Sequence, residues 1–189
     1  GYAPLRRLVR PFILRRMKTD PALVPDLPDK MEIPAYCSLT PEQAALYQAQ
    51  IDMLHAVLDE PDPAARLMLI LPILARLKQI CNHPAQFQGT DDYAPERSGK
   101  FRRLQELCAS IAARQEKTIL FTQFRSIIPH LHDLLSGVFG RSGLTLHGGT
   151  PIPERQNIVT AFQKESGPPF CILSLKAAGT GLTLTQASH

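Results

Sequence analysis

Apolar positions along the chain change their rhythm near residue 99. Before it they recur at helical spacing; after it, helix-spaced stripes alternate with short continuous apolar runs. Leu5, Leu8, Val9, Phe12 and Ile13 sit at helical spacings, but Pro11 must break or kink a helix there, so residues 1–30 read as a basic linker. Pro21, Pro25 and Pro28 keep it extended up to Lys30. Residues 31–39 carry Ile33, Ala35 and Cys37 on one side and predict a strand, pushed toward a sheet edge by Pro34. Thr40-Pro41-Glu42-Gln43 is a helix start: Thr40 can cap, Pro41 suits the first position, and Gln43 can reach back as capping-box partner. Tyr47, Ile51, Leu54 and Leu58 form its apolar stripe, and residues 59–63 end it. A second helix, 66–81, is apolar almost all round, with a kink expected at Pro72. Residues 31–98 thus predict an edge strand and a small helical subdomain, closed by an exposed loop over 86–98.

From Gly99 the elements alternate. A helix with Leu104, Leu107, Cys108 and Ile111 on one face leads to a strand at 118–122. A helix with Ile127, Ile128, Leu131, Leu134 and Leu135 leads to a strand at 144–146. Thr150 is expected to cap a helix bearing Ile158, Val159 and Phe162, which leads to a strand at 170–174. Short, near-continuously apolar strands between helices predict a doubly wound α/β fold, its parallel sheet covered by helices on both faces. In such sheets ligands bind beyond the carboxyl ends of the strands, here residues 122–125, 147–150 and 174–183.

At 189 residues, 44% of them apolar and 20% charged, the chain can bury one main core with an appended subdomain. Its longest apolar stretch, 67–77, is interrupted by Pro72 and Arg76 and is far shorter than the roughly 20 residues of a membrane span. Cys37, Cys81, Cys108 and Cys171 are scattered without a Cys-x-x-Cys pair, which fits a reduced, cytoplasmic setting and no metal cage. The start at Gly1, on an Arg-rich stretch without an apolar signal core, is read as a cut start. The net charge of +4 is concentrated: residues 1–20 hold Arg6, Arg7, Arg10, Arg15, Arg16 and Lys18 against Asp20, leaving the remainder near neutral. Such a cluster can neutralise nucleic-acid phosphates, or be a solvated linker face.

The most informative stretch is Ser174-Leu175-Lys176-Ala177-Ala178-Gly179-Thr180-Gly181-Leu182, which leaves a buried strand straight into small residues. Small residues let backbone approach a ligand closely, and free amides can hold a phosphate oxygen, with Lys176 adding charge and Ser174 and Thr180 adding hydroxyls. Taken alone, this is also the signature of a tight turn.

In order and spacing, Phe12-Ile13-Leu14-Arg15-Arg16-Met17-Lys18, Leu27-Pro28-Asp29-Lys30-Met31-Glu32 and Leu77-Lys78-Gln79-Ile80-Cys81-Asn82-His83-Pro84 resemble the Swi/Snf ATPase family. Ser98-Gly99-Lys100, Ile119-Leu120-Phe121-Thr122-Gln123-Phe124, Leu146-His147-Gly148-Gly149-Thr150 with Arg155-Gln156, and residues 174–184 continue the resemblance through the family's later helicase motifs. It implies a RecA-like second lobe, 99–189, carrying the helical protrusion, in a motor that couples ATP hydrolysis to movement on double-stranded DNA. Arg15, Arg16 and Lys18 would belong to the interlobe connection. Gln123, Thr150, Arg155, Ser174 and Lys176 would face the DNA backbone or the interlobe cleft, and Gly179 and Gly181 would lie near the nucleotide. The implied partners are duplex DNA and the first ATPase lobe; ATP and magnesium are implied for the full-length protein, nucleoid-associated if bacterial.

Two departures stand out. Ala178 and Thr183 occupy positions where the family usually has Gly and Asn, and the chain is expected to stop before the motif that supplies the arginine fingers. No catalytic residue is assigned, and the fragment alone is predicted to be inactive. Gly99-Lys100 is not a phosphate loop, because Phe101 replaces the magnesium-binding hydroxyl. Asp59-Glu60-Pro61-Asp62 reads as a helix-ending loop, His130 and His132 face different sides of a helix, and Cys81 with His83 reads as packing. Alternative readings are a non-catalytic basic nucleic-acid or protein-binding module, and an RNA helicase lobe, against which the Arg-Arg linker and the Cys-Asn-His-Pro helix end argue.

Overall fold

A computed structural model of the chain describes residues 2–13, 31–58, 60–177 and 182–189. Its contacts divide it into two units, Gly1–Ala35 and Tyr36–His189, each taken by itself. In the first, α1 (Ala3–Val9) passes into a single 3-10 turn, Arg10–Phe12, where Pro11 removes the amide a continuing helix would need. Leu5, Leu8, Phe12 and Ile13 are exposed. The strand expected at 31–39 is corrected: these residues are exposed and carry no regular element. A strand is stable only when its backbone groups are paired, and none of the described ladders includes this segment.

In the second unit, α2 (Pro41–Leu58) begins with the capping box expected from the sequence. The amide of Gln43 donates to Thr40 Oγ1 at 3.2 Å, and the amide of Thr40 donates to Gln43 Oε1 at 3.1 Å. Gln43 is buried and works at both ends of its amide: Oε1 also accepts from the amide of Gly99 at 3.2 Å, and Nε2 donates to the Ile80 carbonyl at 2.7 Å. One side chain therefore joins the starts of two helices to the end of a third.

The third of these, α3 (Pro63–Asn82), is capped by Asp62, whose carboxylate accepts from the amides of Ala64 and Ala65. The acidic stretch at 60–62 is thus a helix-start loop, and Pro72 lies inside α3 without ending it. Ile73, Leu77 and Ile80 are buried, while Leu67, Met68, Leu71 and Leu74 are exposed.

Residues 86–98 are not the open loop their Gly, Asp and Pro content predicts. They contain most of α4 (Pro84–Gln88) and a 3-10 turn, Pro95–Arg97, and Gln86 and Ser98 are buried. The cause is His83. Its Nδ1 accepts from the amide of Ala85, leaving Nε2 to donate to the Ala94 carbonyl at 3.1 Å, and its ring stacks on Tyr93 with centroids 4.7 Å apart. Burial holds the His83 imidazole below its ordinary pKa, so it stays neutral in this role.

The α/β half follows the sequence closely. Ser98 caps α5 (Gly99–Ala113), then β1 (Thr118–Thr122), α6 (Ile128–Phe139), β2 (Leu144–Leu146), α7 (Ile152–Gln163) and β3 (Phe170–Ser174) follow in turn. The strands are parallel in the order β1-β3-β2, with Thr122 level with Ser174 and Leu146 level with Leu173. Every residue of the central β3 is buried, and its side chains alternate between two cores. Phe170 and Ile172 pack with Phe101, Cys108, Leu131 and Leu135 of α5 and α6; Cys171 and Leu173 pack with Leu146, Ile158 and Phe162 of β2 and α7. Each fully buried Phe contributes about 2 to 3 kcal/mol of transfer free energy. Burial pushes the thiols of Cys108 and Cys171 up to about 11 and about 12, so both are inert core groups.

One cap is corrected. The N-cap of α7 is Pro151, and the Thr150 hydroxyl accepts instead from the amide of His147 at 3.1 Å. A cap at 150 would seek the amides of residues 152 and 153, and Pro153 has none to give.

Candidate nucleic-acid interface

Because the three strands among the described residues run the same way, their carboxyl ends open at one edge of the sheet, where residues 122–125, 147–150 and 174–177 form adjacent loops. The ends of β1 and β3 are tied directly, Leu175 N–H donating to the Thr122 carbonyl at 2.9 Å. Gln123 is exposed on the first loop, and its Oε1 accepts from Lys78 Nζ on α3 at 3.3 Å. The helical subdomain therefore touches the edge through Lys78, a residue the sequence analysis quoted for its motif but did not place at the site. Nothing in the helical periodicity of α3 could have found that contact across 45 residues.

The second loop is a closed turn. Thr150 N–H donates to the His147 carbonyl at 2.9 Å, the Thr150 hydroxyl holds the His147 amide, and Gly149 N–H donates to His147 Nδ1 at 3.1 Å. Thr150 is buried in this turn, positioning backbone rather than offering its hydroxyl outward. Arg155, half-buried in α7, directs Nε to the Thr150 carbonyl at 3.0 Å and so braces the same turn. On the third loop Ser174 is buried, its carbonyl accepting from the amide of Ala177 at 2.9 Å. Lys176 is exposed and makes no hydrogen bond or ion pair with any described residue. Arg15, Arg16, Lys18, Gly179 and Gly181 lie outside the described residues.

The edge is cationic where it is free. Arg125, Arg155 and Lys176 lie on it or beside it, with Glu154 in the first turn of α7 as the nearest acidic residue in sequence. Beside it a groove of about 880 Å³ runs between α3, α5 and the end of β1, with Leu74, Leu77, Leu120 and Phe121 in its lining and Lys78 and Lys100 among its polar groups.

The start of α5 offers no phosphate cradle. Lys100 donates to Asn82 Oδ1 at 2.9 Å, Ser98 Oγ caps α5, and a Cβ at Gly99 would fall 1.8 Å from the Ser38 carbonyl oxygen, so this helix start is filled by the protein itself. His130 stacks on Tyr93 with centroids 3.6 Å apart, whereas His132 bonds Ser142, so the two point to different neighbours. Among the described residues no helix is long and apolar enough to cross a membrane.

Such an arrangement of sheet, helices and edge loops defines the second, RecA-like lobe of a helicase-type motor, and known proteins agree. Residues 99–189 match the helicase conserved C-terminal domain, and residues 1–86 match the SNF2-related domain. The Sulfolobus solfataricus SWI2/SNF2 ATPase C-terminal domain superposes with a TM-score of 0.77 at 34% identity, covering 84% of this chain and 69% of that one. The ATPase core of that organism, solved in complex with dsDNA, gives 0.77 at 36% identity over 98% of this chain and 39% of the other. YwqA of Bacillus subtilis, named for an ATP-dependent helicase/translocase, is 38% identical over 187 residues, 98% of this chain. This chain belongs to the SWI2/SNF2 ATPase family. It spans about one fifth of the length of YwqA, 20%.

Proposed function

We propose that this chain is the second motor lobe of an ATPase that couples ATP hydrolysis to translocation along double-stranded DNA. The observation that carries the reading is the sheet edge itself. Three parallel strands deliver Gln123, the Thr150 turn braced by Arg155, and the Ser174 to Lys176 turn to one side, and Lys176 stands there without a partner among the described residues. Main-chain turns held by internal hydrogen bonds and edged with free cations suit a phosphate backbone, whose contacts position a protein without reading sequence.

In this reading residues 1–30 connect the lobes through Arg15, Arg16 and Lys18, residues 31–98 form the protrusion, and residues 99–189 form the lobe. Gly179 and Gly181 lie near the nucleotide. ATP and magnesium are held by the first lobe, which supplies the phosphate loop and the acidic magnesium site; the described residues of this chain contribute the DNA-facing edge. The protein works in the cytoplasm, on the nucleoid if bacterial. The test is phosphate release by the protein carrying both lobes, with duplex DNA, single-stranded DNA or none. Stimulation by duplex above the other two is expected, and equal rates in all three would refute the proposal.

A further inference from the structure

Arg125 occupies an unusual place. It opens the 3-10 turn Arg125–Ile127 that leads into α6, and neither that turn nor α6 has a side-chain cap. A cation there faces the positive end of the helix dipole and is destabilised unless an anion joins it. Yet Arg125 is exposed and makes no hydrogen bond or ion pair with any described residue.

The guanidinium lies against Gly149 of the neighbouring loop. A Cβ built at Gly149 would stand 3.0 Å from Nη1 and 3.3 Å from both Cζ and Nη2, so the arginine head occupies the space a side chain would take. Around it the turn presents donors. Gly149 N–H is spent on His147 Nδ1. The amide of Gly148 is exposed and has no partner among the described residues. Asp133 and Glu154 line the same recess, of about 510 Å³, but neither reaches ion-pair distance of Arg125.

We propose that Arg125 and the Gly148–Gly149 turn form one clip for a backbone phosphate of duplex DNA; the inference rests on the DNA reading above. The planar guanidinium fork suits two oxygens of one phosphate, the adjacent amide adds a donor, and Gly149 keeps the fork seated on the turn. The occupant is a polymer backbone rather than an isolated carboxylate because Lys176 stands on the same sheet edge without a partner. Several separated cations on one edge fit a run of phosphates.

The test is fluorescence anisotropy of a labelled duplex with the chain, across a salt series, alongside thermal melting. Arg125→Ala is expected to weaken binding on the order of tenfold at low salt, and to lower the log-log salt slope by about one. Its melting temperature should stay at or slightly above that of the wild type, since the side chain is exposed and a cation at this helix start opposes the dipole. Arg125→Lys should keep the slope and lose part of the affinity, because a point charge replaces the fork. Gly149→Ala should weaken binding by displacing the guanidinium while the slope stays near that of the wild type.

If Arg125→Ala leaves slope and affinity unchanged while Lys176→Ala lowers both, the clip is overturned and the DNA reading stands. If the wild type shows no salt-dependent duplex binding, both fall. An Arg125→Ala defect that appears with ATP and not with duplex would also overturn the clip.

Discussion

Lys176 and Arg155 are the two cations among the residues that the family resemblance turns toward the DNA backbone or the interlobe cleft, and the structure gives them different surroundings. Lys176 is exposed, in the turn after β3, and touches nothing described with hydrogen bonds or charge. Replacing it with Ala should change stability by no more than about 0.5 kcal/mol. Arg155 is half-buried, and its Nε holds the carbonyl of Thr150, whose own hydroxyl fixes His147. Removing it leaves that carbonyl without its brace, at a cost of about 1 kcal/mol. For a chain of this size that lowers the melting temperature by roughly 2 to 4 °C. On DNA, each lost phosphate contact lowers the log-log salt slope by about 0.9. Between 50 and 200 mM salt, a fourfold change, the affinity ratio of wild type to variant should therefore shrink by about 3.5-fold. Lys176→Ala should show that change with an unaltered melting curve; Arg155→Ala should show it together with the drop in melting temperature. Anisotropy across salt and calorimetric melting measure both. If Lys176→Ala melts several degrees early while its salt slope matches the wild type, Lys176 is a structural residue and the edge has been misassigned.

Three further outcomes are expected. Changing Arg15, Arg16 and Lys18 together to Ala should flatten the salt slope of duplex binding by about 2.7, three contacts at about 0.9 each; unchanged slopes would remove the linker from the interface. His83 is held neutral by burial, so its folded pKa lies below the ordinary 6.5. For a base with a depressed folded pKa, the unfolded chain takes up protons first as pH falls. The contribution of His83 is thus complete above pH 6.5 and declines as pH drops through the folded value. The gap in melting temperature between wild type and His83→Gln should accordingly narrow from neutral pH to mildly acid pH, and a gap that widens would contradict the assignment. Finally, calorimetry of this chain alone with ATP and magnesium should show no saturable binding, and phosphate release should stay at background, because phosphoryl transfer needs a phosphate cradle and a magnesium site together. Turnover that follows the chain through purification would mean that it is a complete enzyme.

The strands were legible to the residue because each is a short apolar run with turn-forming residues near its ends. In the central β3 both faces are buried, so no alternation could mislead. The Thr40 capping box was legible because it is local: all of its atoms lie within four residues. What was missed depends on distant partners. The Gly- and Asp-rich segment after α4 looks like open loop until His83 and Tyr93 stack. Thr150 looks like a cap until Pro153 is counted as a missing amide. Residues 31–39 have the alternation of a strand, but alternation does not supply a neighbour to pair with. At the site, the ordering of motifs identified the loops that meet. Which side chain braces and which stays free was decided by contacts such as Arg155 to Thr150, invisible to spacing.

The central claim is that this lobe serves a motor tracking along duplex DNA. The most direct measurement is displacement of a labelled third strand from a DNA triplex by the protein carrying both lobes, with ATP and magnesium. The account predicts ATP-dependent displacement without separation of the underlying duplex, slowed by Lys176→Ala and Arg155→Ala in proportion to their loss of DNA affinity. Robust ATP turnover with the third strand left in place, or duplex unwinding in its stead, would contradict it.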